Sequence, residues 1–391
     1  MNRYLDLHLS QAQLSLSRAA NNHYSDKSKE VYQSKLQELF ELILSNFNSA
    51  QPTTEAEIIE IKRELDFIFK SLEFLESSTL NLIPFELVEC LKYAMNDWLR
   101  PGDKYIITTS LINTINNFSF DRTYLAGNPI FTSLDAKYNI QFPEKLVSIN
   151  FPKATARDYL ISVVLYHELG HFIDNTYNIT RALANDLFNK YFANNLLSDE
   201  IVDVEKYFPF LKSIDKSKPF NGLYVLQVLT AHLAEYFCDL FASQYIGECS
   251  SNYLEYITVE YKTIASDGHP STNLRVNIVE EFINGKGSYL LELICEGTRS
   301  TTNGIELKKR FEELKSDDFY NFLPIDIVNT DQLHGLYKLG WSIWKGDWKQ
   351  FEINMGLSKP LERDKIYSII NNLIEKSIGN FIIANKWKKG I

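Results

Sequence analysis

Apolar side chains recur along the first hundred residues at the spacing of helices. Residues 28–47 place Val31, Leu36, Leu39, Phe40, Leu42, Ile43 and Leu44 on one broad stripe. After a break at 49–52, Thr53, Thr54 and Glu55 open a second helix. It repeats Ile58, Ile61, Leu65, Ile68, Phe69 and Leu72 as far as about Glu76. A third runs from about Pro84 to Leu99 and stops at Pro101 and Gly102. The period then shortens: 105–109 is rich in β-branched residues, and 138–142 and 146–151 alternate apolar and polar positions as half-buried strands do. Gly127 and Pro129 mark a turn between them. From Thr155 to about Asn175 the helical period returns, and most of the remaining chain keeps it. No internal repeat interrupts this order. The expected fold class is α+β, mostly α, with a small β-sheet. Helical regions at 1–100 and 291–391 flank a core at 101–290.

Composition narrows the class. Of 391 residues, 45% are hydrophobic and 23% charged, too apolar for a disordered chain. Forty Lys and Arg against fifty Asp and Glu leave a net charge of −10, which argues against nucleic acid as a partner. No stretch approaches the roughly 18–20 apolar residues of a membrane span, and the first residues lack the apolar core of a signal peptide. Cys90, Cys238, Cys249 and Cys295 lie far apart without a CxxC pair. They read as reduced thiols of a cytoplasmic protein, with Cys238 and Cys295 in the core. The basic tail Lys386-Trp387-Lys388-Lys389 reads as a solvated end.

One motif carries chemistry. His167-Glu168-Leu169-Gly170-His171 is an HExxH pattern inside the predicted helix. At about 3.6 residues per turn, His167 and His171 stand one turn apart on one face, where two neutral imidazoles can meet one metal ion. Glu168, one position round, can hold a water without binding the metal itself. Zinc suits such a donor set and keeps a position open for water. A chain with seven histidines should show on the order of 0.01 such matches by chance.

A third ligand is sought on the apolar helix around 231–242. Glu235 and Asp239 lie four apart there, and buried carboxylates are costly unless paired or bound to a cation. Glu235 as ligand, with Asp239 accepting a ligand histidine's other N–H, answers that cost for both. His232, three residues before Glu235, is a competing ligand. Further on, 267–276 reads as a turn and a helix with Pro270 near its first position. There His269 can stabilise an oxyanion, and Arg275 can brace the loop or a carboxylate.

Together these segments resemble a gluzincin zinc metallopeptidase. His167-Glu168-Leu169-Gly170-His171, Glu235 to Asp239, then His269-Pro270 and Arg275 are similar to the ordered HExxH, ExxxD and HP…R elements of the HtpX and CAAX-prenyl-protease group. Residues 170–174 and 235–237 also resemble the catalytic domain of anthrax lethal factor. The likeness covers about 145–285. It departs from the HtpX pattern in having no membrane-spanning stretch and in Cys238, where alanine is usual. The resemblance implies a zincin-like core with one zinc ion on His167, His171 and Glu235. Glu168 would be the base, Asp239 would support a ligand, and His269 and Arg275 would be active-site supports. The implied activity is cleavage of protein or peptide substrates, with Leu146 to Phe151 as a strand that pairs with extended substrate. The alternative is a catalytically inactive zinc-binding or helical interaction module. The helical flanks are candidate surfaces for a regulatory protein partner.

Overall fold

The structure is a computed structural model. It describes residues 2–24, 27–49, 52, 54–76, 85–99, 105–112, 119–121, 134, 136–140, 145–152, 157–215, 218–258 and 263–388. Most of them are helical. The chain divides into two compact units, one of residues 1–88 and 99–156, the other of 89–98 and 157–391. This division differs from the regions 1–100, 101–290 and 291–391 drawn from the sequence. Contacts made between distant segments set it, and the local pattern does not encode them.

The first unit packs helices α1 (Asn2–Ala19), α2 (Lys27–Ser49) and α3 (Glu55–Glu76) around Leu9, Leu16, Leu36, Phe40, Leu65 and Ile68. Val31, expected on the apolar stripe of α2, is exposed. The start of α3 is a capping box: the Glu57 amide donates to Thr54 Oγ1 at 3.3 Å, and the Thr54 amide donates to Glu57 Oε2 at 3.0 Å. Helix α4 (Phe85–Asn96) begins in this unit and passes into the second. Three strands follow: β1 (Tyr105–Ile112), β2 (Ser119–Asp121) and β3 (Lys145–Pro152).

Strand β3 lies in the middle of that sheet. It runs parallel to β1 from Tyr105 opposite Lys145 to Ile112 opposite Pro152, and antiparallel to β2 at Ser148, Ile149 and Asn150. Both of its edges are therefore occupied at 148–150. The expectation that 146–151 offers a rail for substrate backbone fails there, because β-augmentation needs a free edge. The strand expected at 138–142 is also absent over its described part. Tyr138 is helical and Asn139 takes a left-handed φ of 56°, while Tyr138 donates to Glu64 Oε2 at 2.8 Å. Residues 141–142 and the turn at 125–129 lie outside the described residues.

The second unit is a helical assembly around one post. In chain order it holds α5 (Val164–Tyr177), α6 (Ile179–Phe192), α7 (Ser198–Tyr207), a 3-10 turn at Pro209–Ser213, α8 (Gly222–Ile246), α9 (Cys249–Ile257) and α10 (Thr272–Asn284). Then come α11 (Tyr289–Thr301), α12 (Asp317–Tyr320), α13 (Thr330–Lys345), α14 (Lys349–Met355) and α15 (Arg363–Lys388). Helix α8 is the post. It is buried on all sides from Glu235 to Ile246, and α5, α6, α9, α10 and α13 surround it. The crossing of α5 on α8 is closest at Gly170, where a Cβ would stand 2.9 Å from the Cα of Cys238. Only glycine allows that approach.

Helix α5 starts at Val164 rather than near Thr155. Residues 158–163 form tight turns in which the Ile161 amide donates to Asp158 Oδ1 at 3.2 Å. Distant groups hold these turns. The Tyr159 amide donates to Asn371 Oδ1 at 2.7 Å, Trp341 Nε1 donates to the Leu160 carbonyl at 2.9 Å, and Tyr367 donates to Asp158. The C-terminal helices α13 and α15 thus grip the entrance to α5. Its exit is fixed by Asn178, left-handed at φ 53°, and by Asp174, which accepts from the amide and hydroxyl of Thr180. Cys90, Cys238 and Cys249 are buried thiols, whereas Cys295, expected in the core, is only half-buried. No helix among the described residues is long and apolar enough to cross a membrane.

Candidate metal centre

Helices α5, α8 and α10 and the loop before α10 bring His167, Glu168, His171, Glu235, Asp239, His269 and Arg275 into one place. His167 and His171 project from α5 with ring centroids 4.9 Å apart and planes at 86°. Glu235 and Asp239 face them from α8 and are buried. His167 Nδ1 lies 2.9 Å from Asp239 Oδ1. A carboxylate only accepts, so Nδ1 carries a proton, and Nε2 is the ring atom turned toward Glu235. That Nε2 is 3.5 Å from Glu235 Oε2, and His171 Nε2 is 3.5 Å from Glu235 Oε1.

Arg275 on α10 braces both carboxylates from behind. Its Nε and Nη2 donate to Asp239 at 2.6 and 2.8 Å, and its Nη1 lies 2.9 Å from Glu235 Oε2. His269, on the exposed loop, brings Nδ1 to 3.3 Å from Glu235 Oε1. Ser271 takes the cap position of α10, so Pro270 stands just outside the helix and not at its first turn.

The electrostatics follow from this crowding. Burial would raise Glu235, but the Arg275 charge and the hydrogen bonds of His167, His171 and His269 hold its carboxyl well below the usual range. Asp239 is likewise lowered against its burial, by Arg275 and His167. Burial alone would lower His167, yet Asp239 and Glu235 push it up to about 10. Burial raises Glu168, and the Glu235 charge adds to that effect. Glu235, Asp239 and Glu168 outnumber Arg275, so the site draws a further positive charge to the imidazole position.

A metal ion would meet the same demand. Two donors about 2.0–2.1 Å from one ion at the tetrahedral angle stand about 3.3–3.4 Å apart. The two histidine-to-Glu235 separations of 3.5 Å fit that spacing. Cys238 also lies within reach of the pair, all three donor atoms falling within 4.8 Å of one another. It is the poorer third donor. Burial and the surrounding carboxylates raise its thiol well above the ordinary value, and its Sγ is packed in the crossing beside Gly170. Glu235 is already ionised and aimed.

His232, the competing ligand, faces another way. Its Nε2 lies 2.8 Å from the Ser266 carbonyl, and its ring is buried between Phe208 and Phe210. The donor set therefore assembles without it.

Beside the donors lies a cleft of about 550 Å³, with Glu168 in its lining. Val164 from α5, Tyr253 and Leu254 from α9, and Ile264 from the loop form its apolar wall. Sequence reasoning missed these residues, since no motif marks α9 and only its packing on α8 turns it to the site. Comparisons of the chain with protein-family models, curated proteins and solved structures give no match.

Proposed function

We propose that the chain is a zinc-dependent metalloendopeptidase, built on a zincin-like core, that hydrolyses peptide bonds of protein or peptide substrates. One observation carries the reading: both oxygens of Glu235 stand at ligand spacing from the Nε2 atoms of an HExxH pair. His167, His171 and Glu235 would hold the ion. When bound, zinc supplies Lewis acidity and an acidified water.

The chain's own groups do the rest. Asp239 fixes the tautomer and orientation of His167, as a partner of a ligand imidazole does. Arg275 keeps Asp239 and Glu235 ionised and in place. Glu168 lines the cleft with its carboxyl raised by burial, nearer the range in which a base takes a proton from water and returns it to the departing amine. His269 offers an N–H at the rim for the carbonyl oxygen of the scissile bond. The four free cysteines suit a reducing, cytoplasmic setting.

The test compares wild type with Glu168→Gln for zinc content and for cleavage across a whole proteome. Stoichiometric zinc in both proteins and cleavage by wild type alone support the peptidase. Zinc in both with no cleavage by either would point to the catalytically inactive zinc-binding module.

A further inference from the structure

His232 stands three residues before Glu235 on α8 and is only 1% exposed. Phe208 stacks on its ring at 6.3 Å and Phe210 meets it edge-on at 5.5 Å. The Ser266 carbonyl only accepts, so His232 Nε2, 2.8 Å away, must carry the proton. Its Nδ1 makes no hydrogen bond. Ser266 in turn closes a short loop on His269. The Ser266 amide donates to the His269 carbonyl at 2.9 Å, and the His269 amide donates to Ser266 Oγ at 3.0 Å.

The residues of the 266–269 turn are all exposed. Among the described residues its other ties to α8 are a bond between Asp267 and the exposed Tyr224 hydroxyl and the contact of His269 with Glu235. Yet this turn carries His269 Nδ1 to 3.3 Å from Glu235 Oε1. One helix thus supplies both the carboxylate and, one turn earlier, the buried donor that fastens the loop facing it. We propose that His232 is a positioning residue: through the Ser266 carbonyl it fixes the turn that presents His269 at the metal centre. The proposal rests on the peptidase reading for its functional consequence, though not for the fastening itself. A misplacement of about 1 Å in a group that meets the transition state can cost about 10²-fold in rate.

The test uses the zinc-loaded full chain with His232→Phe, which keeps a ring without the donor, and His232→Gln, which restores an N–H. Ser266→Ala and His269→Ala complete the set. Amide exchange, read by fragmentation mass spectrometry, should quicken at least about tenfold at Ser266 and His269 in His232→Phe and stay near wild type in His232→Gln. On reduced, denatured casein, His232→Phe should lower kcat as far as His269→Ala does, by about 10²-fold. The double variant His232→Phe/His269→Ala should fall no further, and zinc affinity should hold in all of them. Wild-type exchange in His232→Phe, or losses that multiply in the double variant, would overturn the assignment. If His232→Phe does not fold, His232→Leu decides: it must speed exchange at Ser266 and His269 and lower kcat, and a wild-type result in both overturns the assignment. Casein left intact by wild type counts against the peptidase reading, while the exchange data still judge the fastening.

Discussion

Replacing Gly170 by alanine should damage the candidate metal centre more than the fold. The added Cβ would stand 2.9 Å from Cys238 Cα and 3.1 Å from its Cβ and Sγ. Carbon atoms rest at about 3.5–4.0 Å, so α5 and α8 must part by about 0.6 Å. Overpacking of this kind costs about 1–3 kcal/mol, while alanine regains about 1 kcal/mol of helix propensity. The net loss of stability is therefore only about 0–2 kcal/mol. Ligand distances, however, tolerate only about 0.2 Å, and His167 and His171 lie on one of these helices while Glu235 lies on the other. Zinc affinity should drop at least about tenfold. Cys238→Ala added to Gly170→Ala should recover little, since the nearest contact is to a Cα that alanine retains. Chelator competition and urea unfolding on the same preparations give both numbers. A Gly170→Ala protein with wild-type affinity and a raised unfolding midpoint would refute the close crossing.

Glu168→Gln should keep zinc and fold while losing about 10²–10⁴-fold in hydrolysis; unchanged cleavage of a verified substrate contradicts its role as base. In chelator titrations Glu235→Ala should lose zinc sharply, Asp239→Ala about 10–100-fold, and His232→Ala little. The reverse order for Glu235 and His232 would sink the ligand assignment. In protein stripped of metal, His167 rises from 6.5 to about 10, so its stabilisation is whole below about pH 6.5 and is lost as pH climbs through 10. Glu235 and Asp239 are lowered from 4.5 and 3.8, so theirs is present above those values and is lost on acidification. Stripped protein should thus be most stable at about pH 5–6.5, and zinc affinity should rise with pH above that window as the ion displaces the His167 proton. Unfolding midpoints and competition titrations across pH check both, and a flat affinity from pH 6.5 to 9 contradicts them. Asn371→Leu should cost about 1–3 kcal/mol in urea unfolding, because the buried amides of Tyr159 and Leu160 lose their shared acceptor.

What the sequence revealed and what it hid divide along physical lines. The one-turn spacing of His167 and His171 is a local property of a helix, and so is that of Glu235 and Asp239, so both pairs were legible. Packing turns Glu235 toward the two histidines and His232 away from them. Both lie on α8, but the acceptor for His232 is a carbonyl thirty-four residues away at Ser266. The late start of α5 was hidden for the same reason, since Asn371 and Trp341 stabilise the turns at 158–163 from distant helices. Arg275 was marked as a brace, though its simultaneous hold on two carboxylates depends on how α10 packs against α8. At Tyr138 an alternating pattern gave the wrong period because Leu134 and Ile140 reach the core from a short helical turn and a left-handed Asn139.

The grip of α13 and α15 on the entrance to α5 sets an order of assembly. A ribosome releases the chain from its N-terminus at about 5–20 residues per second. His167 and His171 emerge long before Trp341, Tyr367 and Asn371, the groups that fasten the turns leading into their helix. Through that interval the histidines ride on a segment whose start is untied. The donor set therefore closes late, after about 170–200 further residues have been added, and a nascent chain still on its ribosome carries the motif without its finished surroundings.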